Sequence, residues 1–258
     1  MRIVVLGSGN VASHLAKTLD ERSDVVQIFS QNLLNAEQLA RSLKNASATN
    51  DLSQLINDAD VYILSIKDDA ILSVLSNVQL RNGLWLHTSG SVPGDVFNGR
   101  FLHYGVLYPL QTFSRDVYVD MTEVPFFIEG DSEETAVKIE SIAKTISNKV
   151  YRADSIQRRN IHVAAVFGCN FVNFLWGIAD EILRKSGYDF EILLPLIKAT
   201  LDKAISVGPI MGQTGPARRG DKNTMLRHGQ LISADQKCVY KLISECIMRK
   251  YNIDYEQD

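Results

Sequence analysis

An apolar run, Arg2-Ile3-Val4-Val5-Leu6, passes without a break into Gly7-Ser8-Gly9-Asn10-Val11-Ala12 and then into a helical pattern. Strand, glycine turn and helix in that order confine the chain to folds in which a helix N-terminus faces the end of a parallel strand. The spacing is that of a dinucleotide-binding turn. Gly7 permits the tight bend, Gly9 lets backbone approach a pyrophosphate without an intervening Cβ, and Ala12 lets the helix pack closely on its strand. Backbone N–H groups of Ser8, Asn10 and Val11, at the helix's positive end, would then meet the phosphates. In isolation the same residues read as an ordinary glycine-rich turn; the strand before them and the helix after them favour the nucleotide site.

The helix after the turn places Val11, Leu15 and Leu19 on one face and turns Lys17, Asp20 and Glu21 outward. A second apolar run, Val25 to Phe29, ends at Ser30-Gln31-Asn32, where cofactor choice is usually made. An NAD-specific site carries Asp or Glu here, and that carboxylate repels a 2′-phosphate. Ser30, Gln31 and Asn32 can all donate to a phosphate, and Arg41 or Lys44 on the next helix could add charge. NADP is therefore expected ahead of NAD, the alternative being that these are polar loop residues closing a strand.

Strand and helix patterns keep alternating: strands over 60–65 and 84–87, a helix over 68–76, further strands over 104–107, 125–129 and 149–151, and a helix over 132–147 with Glu133 and Glu134 in its first turn. This βαβ rhythm predicts an α/β Rossmann domain, a doubly wound and mostly parallel sheet. Past Tyr151 the pattern becomes all-helical: a long helix over 155–185 interrupted at Gly168 and Gly177 with Gly187 as its C-cap, helices over 190–207 and 234–251, and one starting near Asp221. The expected domains are 1–152, dinucleotide-binding, and 153–258, helical. Val163, Val166, Phe167, Phe171, Phe174, Leu175 and Trp176 make the long helix apolar on several faces, so it should be buried in its own domain or against a second subunit as a homodimer.

With 258 residues, 45% of them hydrophobic, the chain can bury a full core, and a net charge of −3 argues against nucleic acid as a partner. The apolar start stops at Gly7 and no later segment approaches the length of a membrane span, so a cytoplasmic protein without a membrane partner is expected. Cys169, Cys238 and Cys246 have neither disulfide-framework nor zinc spacing, and no metal is expected.

Open α/β sheets bind ligands at the carboxyl edge. Ser65-Ile66-Lys67-Asp68 closes one strand there: Ser65 and Lys67 are candidate cofactor contacts, and Asp68 reads as a helix cap rather than a catalytic group. His87-Thr88-Ser89-Gly90 closes another. His87 either contacts cofactor or substrate as a donor or is a histidine hydrogen-bonded at a strand terminus, and Ser89 is a candidate substrate contact. Tyr108-Pro109-Leu110-Gln111-Thr112-Phe113 reads as a rigid loop that walls the nicotinamide pocket or packs the core. On the long helix His162, Cys169 and Asn173 fall on nearly one face beside Val166 and Asn170, polar groups that either bond to neighbouring helices or line a substrate pocket. Thr214 to Asp221, with Thr224 and His228 beyond it, forms a turn whose Arg218 and Arg219 could bind an anionic substrate or a phosphate. The catalytic candidates are thus His87, His162 and His228, and the substrate-binding candidates Ser89, Asn170, Asn173 and Arg218.

The glycine turn, His87-Thr88-Ser89-Gly90, the Tyr108 to Phe113 loop, the His162 to Asn173 helix and Gly215-Pro216-Ala217-Arg218-Arg219-Gly220-Asp221 with His228 resemble, over nearly the whole chain, a bacterial NADP oxidoreductase family. That family joins a Rossmann domain of the deazaflavin-dependent NADP-oxidoreductase type to a helical domain of unknown function. More distantly the chain is similar to pyrroline-5-carboxylate reductase and the 6-phosphogluconate and β-hydroxyacid dehydrogenases. The resemblance implies a helical domain like the C-terminal domain of 6-phosphogluconate dehydrogenase, which dimerises and completes the active site. Two departures stand out. The dehydrogenases carry a Lys one turn before an Asn, and matching Asn170 to that Asn leaves Val166 at the Lys position; most family loops begin His-Pro where this chain has Tyr108-Pro109. The resemblance therefore implies an NADP-dependent oxidoreductase that moves hydride between a nicotinamide and a small C=O or C=N substrate, a Tyr, a His or water giving the proton. The alternative is a catalytically silent NADP-binding dimer with a sensor or regulatory role.

Overall fold

The computed structural model describes residues 1–79 and 82–253; residues 254–258, the last of the expected helical domain, lie outside the described residues. Eight strands are found among them: β1 (Arg2–Leu6), β2 (Asp24–Phe29), β3 (Ser47–Thr49), β4 (Val61–Leu64), β5 (Leu84–His87), β6 (His103–Pro109), β7 (Phe126–Gly130) and β8 (Val150–Arg152). They form one sheet in the order β3-β2-β1-β4-β5-β6-β7-β8. Neighbours pair in parallel except β6 with β7. The segment joining those two holds only the short 3-10 turn Met121–Glu123 and no α-helix to carry the chain back across the sheet, so it returns antiparallel. Strand β3 escapes sequence patterning because Ser47-Ala48-Thr49 is not an apolar run; its pairing with Gln27, Ile28 and Phe29 makes it a strand.

Both faces of the sheet are covered. Ile3 and Val5 pack to one side with Leu15, Leu19, Val25 and Ile139, while Val4 and Leu6 pack to the other with Tyr62, Trp85, Ile71 and Phe97. A strand buried on both faces needs an unbroken apolar run rather than alternation, which is why residues 3–6 are legible as a central parallel strand. Helices α1 (Asn10–Arg22), α2 (Leu33–Ala40) and α4 (Glu133–Lys144) cover the first face and α3 (Asp68–Asn77) the second. Strand order reverses between β1 and β4, and the crevice outside their carboxyl ends is the expected ligand position in such a sheet.

The change of secondary-structure class falls at the end of β8, Arg152, as the sequence suggests. Compactness divides the chain later, into residues 1–169 and residues 170 onward. Helix α5 (Ser155–Ala165) belongs to the first unit because its Arg158, fully buried, pairs with Glu129 of β7. Of the two interruptions expected in the long helix, the one at Gly168 falls within a single π-helical turn, Val166–Asn170, whereas α6 (Phe171–Lys185) runs through Gly177 without a break. That wider turn interrupts the 3.6-residue period on which the expected common face of His162, Cys169 and Asn173 rests. Gly187, at φ 79°, closes α6 as expected, with Tyr188 N–H donating to the Leu183 carbonyl.

The second unit contains α6, a 3-10 turn at Phe190–Leu193, α7 (Leu194–Val207), α8 (Pro216–Arg219), α9 (Lys222–Leu231) and α10 (Ala234–Lys250). The single helix expected over 190–207 is therefore split: Pro195 sits in the first turn of α7, where its missing N–H costs nothing. Asp221 caps α9 as expected, accepting from Thr224 N–H. Within one chain the long helix is not buried, contrary to the reading of a helix covered inside its own domain: Phe167, Phe171 and Phe174 are all at least half exposed. Nor does the expectation that no segment approaches a membrane span hold, because Ser155–Lys185 is long and apolar enough by length and composition. Its asparagines, His162 and glycines break the apolar run in the sequence, whereas the backbone continues helical through them.

Candidate active site

The turn after β1 is built as its glycines require. At Gly7, φ is 136° and a Cβ would lie 2.0 Å from the Ser65 carbonyl oxygen, so the first and fourth strands approach here without a side chain between them. Gly9 is the N-cap of α1, receives no side-chain cap, and would project a Cβ into open space, with nothing within 4 Å. The first turn of α1 holds no acidic residue. An uncapped helix N-terminus with an open approach at its glycine fits a pyrophosphate, both by its free N–H groups and by its partial positive charge.

A cavity of about 680 Å³ opens from this turn, lined entirely by residues of the first unit. Of the sequence-predicted cofactor residues, Gly7, Ser8, Gly9, Asn10, Val11, Ser30, Gln31, Ser65 and Lys67 all line it. Ala12 instead lies buried in the core under the helix. Asn32 caps α2, its Oδ1 accepting from Leu34 and Asn35 N–H at 3.0 and 3.4 Å. Ser8 Oγ donates to Ser30 Oγ at 2.9 Å, joining the turn to the end of β2. Of the two residues expected to add charge, Arg41 is exposed beside Glu37 at 3.4 Å, and Lys44 Nζ bonds the Asp20 carbonyl. Asp68 is the first residue of α3 rather than its cap, a position that still favours a carboxylate through the helix dipole.

His87 is fully buried and does not reach the cavity. Its Nδ1 accepts from Ser89 N–H at 3.1 Å and its Nε2 lies 3.3 Å from the Pro93 carbonyl, which fixes the Nε2–H tautomer. Burial, reinforced by the Arg158 charge, lowers its pKa to about 3, so the ring is neutral. Of its two sequence readings the structure shows the satisfied strand-terminal histidine: it shapes the loop that brings Ser89 and Gly90 to the cavity wall. Ser89 Oγ is itself engaged, accepting from Ser91 and Val92 N–H at 3.0 Å each.

His162 does line the cavity, and it is paired there. Its Nδ1 lies 3.0 Å from Tyr108 Oη in a hydrogen bond, with the rings edge to face at 76°. Burial pushes the Tyr108 phenol up to about 12, against a lowering influence of Arg158, so Tyr108 keeps its proton throughout the neutral range. Gly90 makes the pair possible: a Cβ on it would come within 2.8 Å of the His162 ring and 2.9 Å of Tyr108 Cζ. Helix α5 presents His162 from a fixed start, since Asp154 and Gln157 form a capping box and Ser155 Oγ donates to the Glu129 carboxylate. Arg158 donates to the same carboxylate and to the Val92 carbonyl.

The loop after β6 folds back onto the glycine turn, a connection that sequence reading missed because its partners are about a hundred residues apart. Asn10 Nδ2 donates to the Phe113 carbonyl at 3.0 Å, His14 Nε2 bonds the Ser114 carbonyl at 2.9 Å, and Arg115 Nη2 donates to the Ser8 carbonyl at 3.0 Å.

The remaining candidates lie in the second unit. Asn170 and Asn173 are exposed on the long helix. Arg218 stacks over the Tyr251 ring, 4.4 Å from its centroid, and His228 Nδ1 lies 2.9 Å from Tyr240 Oη in a separate cavity of about 440 Å³ lined mainly by apolar side chains such as Leu175, Ile178 and Ile243.

Residues 2–86 match the family described as "NADP oxidoreductase coenzyme F420-dependent", and residues 124–247 match "Domain of unknown function (DUF2520)". No curated protein matches the chain. Among solved structures, a Bacteroides fragilis protein described as an NADP oxidoreductase is 40% identical, with a TM-score of 0.88 over 96% of this chain and 98% of that one. A Thermotoga maritima protein is 22% identical, with a TM-score of 0.69 over 97% and 98% of the two chains. A reductive aminase of Aspergillus terreus, solved with NADPH and ethyl-5-oxohexanoate, is 15% identical, with a TM-score of 0.76 over 99% and 96%. The last two likenesses are of fold.

Proposed function

Because the chain belongs to the NADP oxidoreductase family that joins a coenzyme F420-dependent NADP-oxidoreductase domain to a DUF2520 domain, we propose that it reduces a C=N or C=O bond of a small substrate with NADPH. One observation carries the reading: the glycine turn and the Tyr108–His162 pair line a single cavity. The turn and the N-terminus of α1 would hold the pyrophosphate, and Ser8, Ser30 and Gln31 the adenosine ribose and its 2′-phosphate. Bound NADPH supplies the hydride that adds to the substrate carbon.

The chain supplies the proton. With the hydrogen of His162 on Nδ1, that nitrogen donates to Tyr108 Oη and leaves the phenol O–H free to point at the substrate. As the carbon is reduced, the nitrogen or oxygen becomes far more basic than a phenolate and takes the Tyr108 proton. His162 Nε2 takes a proton from solvent as Nδ1 passes its own to Oη, so the ring stays neutral and the phenol is restored. Lys67 would face the charged cofactor, while Ser89 and Gln111 wall the substrate end. The position matched to a dehydrogenase Lys holds Val166, so the pair replaces that group rather than assisting it.

We place the enzyme in the cytoplasm as a homodimer through its helical unit. Its three free cysteines are all exposed, a state that a reducing compartment preserves, and its apolar helices need a cover. The test is NADPH oxidation over a panel of cyclic imines, ketones and keto acids, after binding is established by titration. Tyr108→Phe should lower turnover about a hundredfold or more at unchanged NADPH affinity. Tight NADPH binding with no turnover across the panel would favour the silent regulatory dimer, the reading that Val166 at the Lys position supports.

A further inference from the structure

We propose that Arg115 binds the 2′-phosphate of NADPH and is the residue that distinguishes NADPH from NADH; the proposal rests on the function given above. A 2′-phosphate calls for a cation, and the end of β2 offers only Ser30, Gln31 and Asn32. Of the basic residues in the following segment, Lys44 bonds the Asp20 carbonyl and Arg41 extends from the end of α2 beside Glu37, and among the described residues neither bonds the glycine turn or Ser30. Arg115 arrives from a different part of the chain, 107 positions from the residue it touches.

Its Nη2 donates to the Ser8 carbonyl at 3.0 Å, while Ser8 Oγ donates to Ser30 Oγ at 2.9 Å. One residue of the turn therefore carries the guanidinium on its carbonyl and, on its hydroxyl, the serine at the position that reads the ribose 2′ substituent. The guanidinium is placed rather than free, because the two residues before it are fastened to α1 through Asn10 and His14, and Phe113 packs against the His14 ring at 5.1 Å. Arg115 is exposed, and among the described residues the Ser8 carbonyl takes one of its five donors. The remaining fork matches two phosphate oxygens. The pyrophosphate, by contrast, is served by the amides of α1, which treat NADPH and NADH alike.

The experiment is an equilibrium titration of the full chain with NADPH and with NADH, followed by nicotinamide fluorescence, for the parent, Arg115→Ala and Arg115→Lys, with thermal melts to show that each is folded. The parent should bind NADPH more tightly than NADH. Arg115→Ala should weaken NADPH about ten- to a hundredfold and leave NADH within about twofold, with Arg115→Lys between them. The salt dependence of NADPH binding should flatten in Arg115→Ala. A folded Arg115→Ala that keeps its NADPH affinity overturns the proposal, as does an equal loss for both cofactors, which would put the guanidinium at the pyrophosphate. A parent that binds neither cofactor overturns the function reading itself, a result distinct from both.

Discussion

A histidine at the carboxyl end of a parallel strand can be a reagent or a bolt, and burial decides between them. His87 has no exposed surface, both ring nitrogens are bonded, and its pKa lies near 3 against 6.5 in a solvated histidine. The unfolded chain therefore binds a proton that the folded chain refuses, so stability is lost as pH falls from about 6.5 toward 3, by about 1.4 kcal/mol for each pH unit. Denaturant melts across this window should show that slope, and His87→Gln should flatten the acid limb; an unchanged limb would remove the buried imidazole as its source. Gly90 permits a matching test. Alanine there drives a Cβ to 2.8 Å from the His162 ring, so Gly90→Ala should cost about 1–3 kcal/mol and separate the Tyr108–His162 pair while NADPH affinity persists. Loss of NADPH affinity together with stability would show that the loop supports the turn instead. The sequence contains His162 and Tyr108 plainly enough, but their pairing spans 54 positions and depends on a glycine in a third segment. Neither condition leaves a local pattern.

At the scale of elements, legibility follows the range of the interactions. The β1–turn–α1 unit is readable because strand burial, glycine dihedrals and helix capping all act within about twenty residues. Gly168 marks an interruption where the π turn Val166–Asn170 falls but not its kind, and the return of the 110–118 loop to α1 rests on bonds to backbone carbonyls, which any sequence presents. The readable unit gives the cleanest element-level prediction. Since a Cβ on Gly9 meets nothing within 4 Å and the N-cap position is unstrained, Gly9→Val should stay folded at a cost of about 1 kcal/mol while filling the space before the helix N-terminus. Calorimetric titration should then show no NADPH binding. Parent-like binding by a folded Gly9→Val would place the pyrophosphate elsewhere.

For the whole molecule, the helical unit carries the strongest expectation. Phe174, Ile205, Leu226 and Leu231 are each more than 60% exposed, and among its described residues only Ala217, Gln236 and Met248 are buried. So much apolar surface calls for a cover in solution, and the proposed second copy would offer the same helices in return. Light scattering at micromolar concentration should give close to twice 28.8 kDa, and Phe174→Asp with Ile205→Asp should shift it toward the monomer. A clean monomer mass for the parent would refute the dimer. The change from α/β to all-helical pattern was legible at Arg152, but the compact unit runs on to residue 169, because the ion pair that extends it joins residues 29 positions apart. That pair also decides where the gene can be recombined. A crossover placed after Arg152, where the pattern changes, would exchange Arg158 and Ser155 for a stranger's residues while leaving Glu129, Val92 and Gly94 with partners chosen for another helix. Chimeras between relatives should therefore inherit α5 with the sheet, and libraries shuffled at the visible seam should be depleted of folded members compared with those shuffled one helix later.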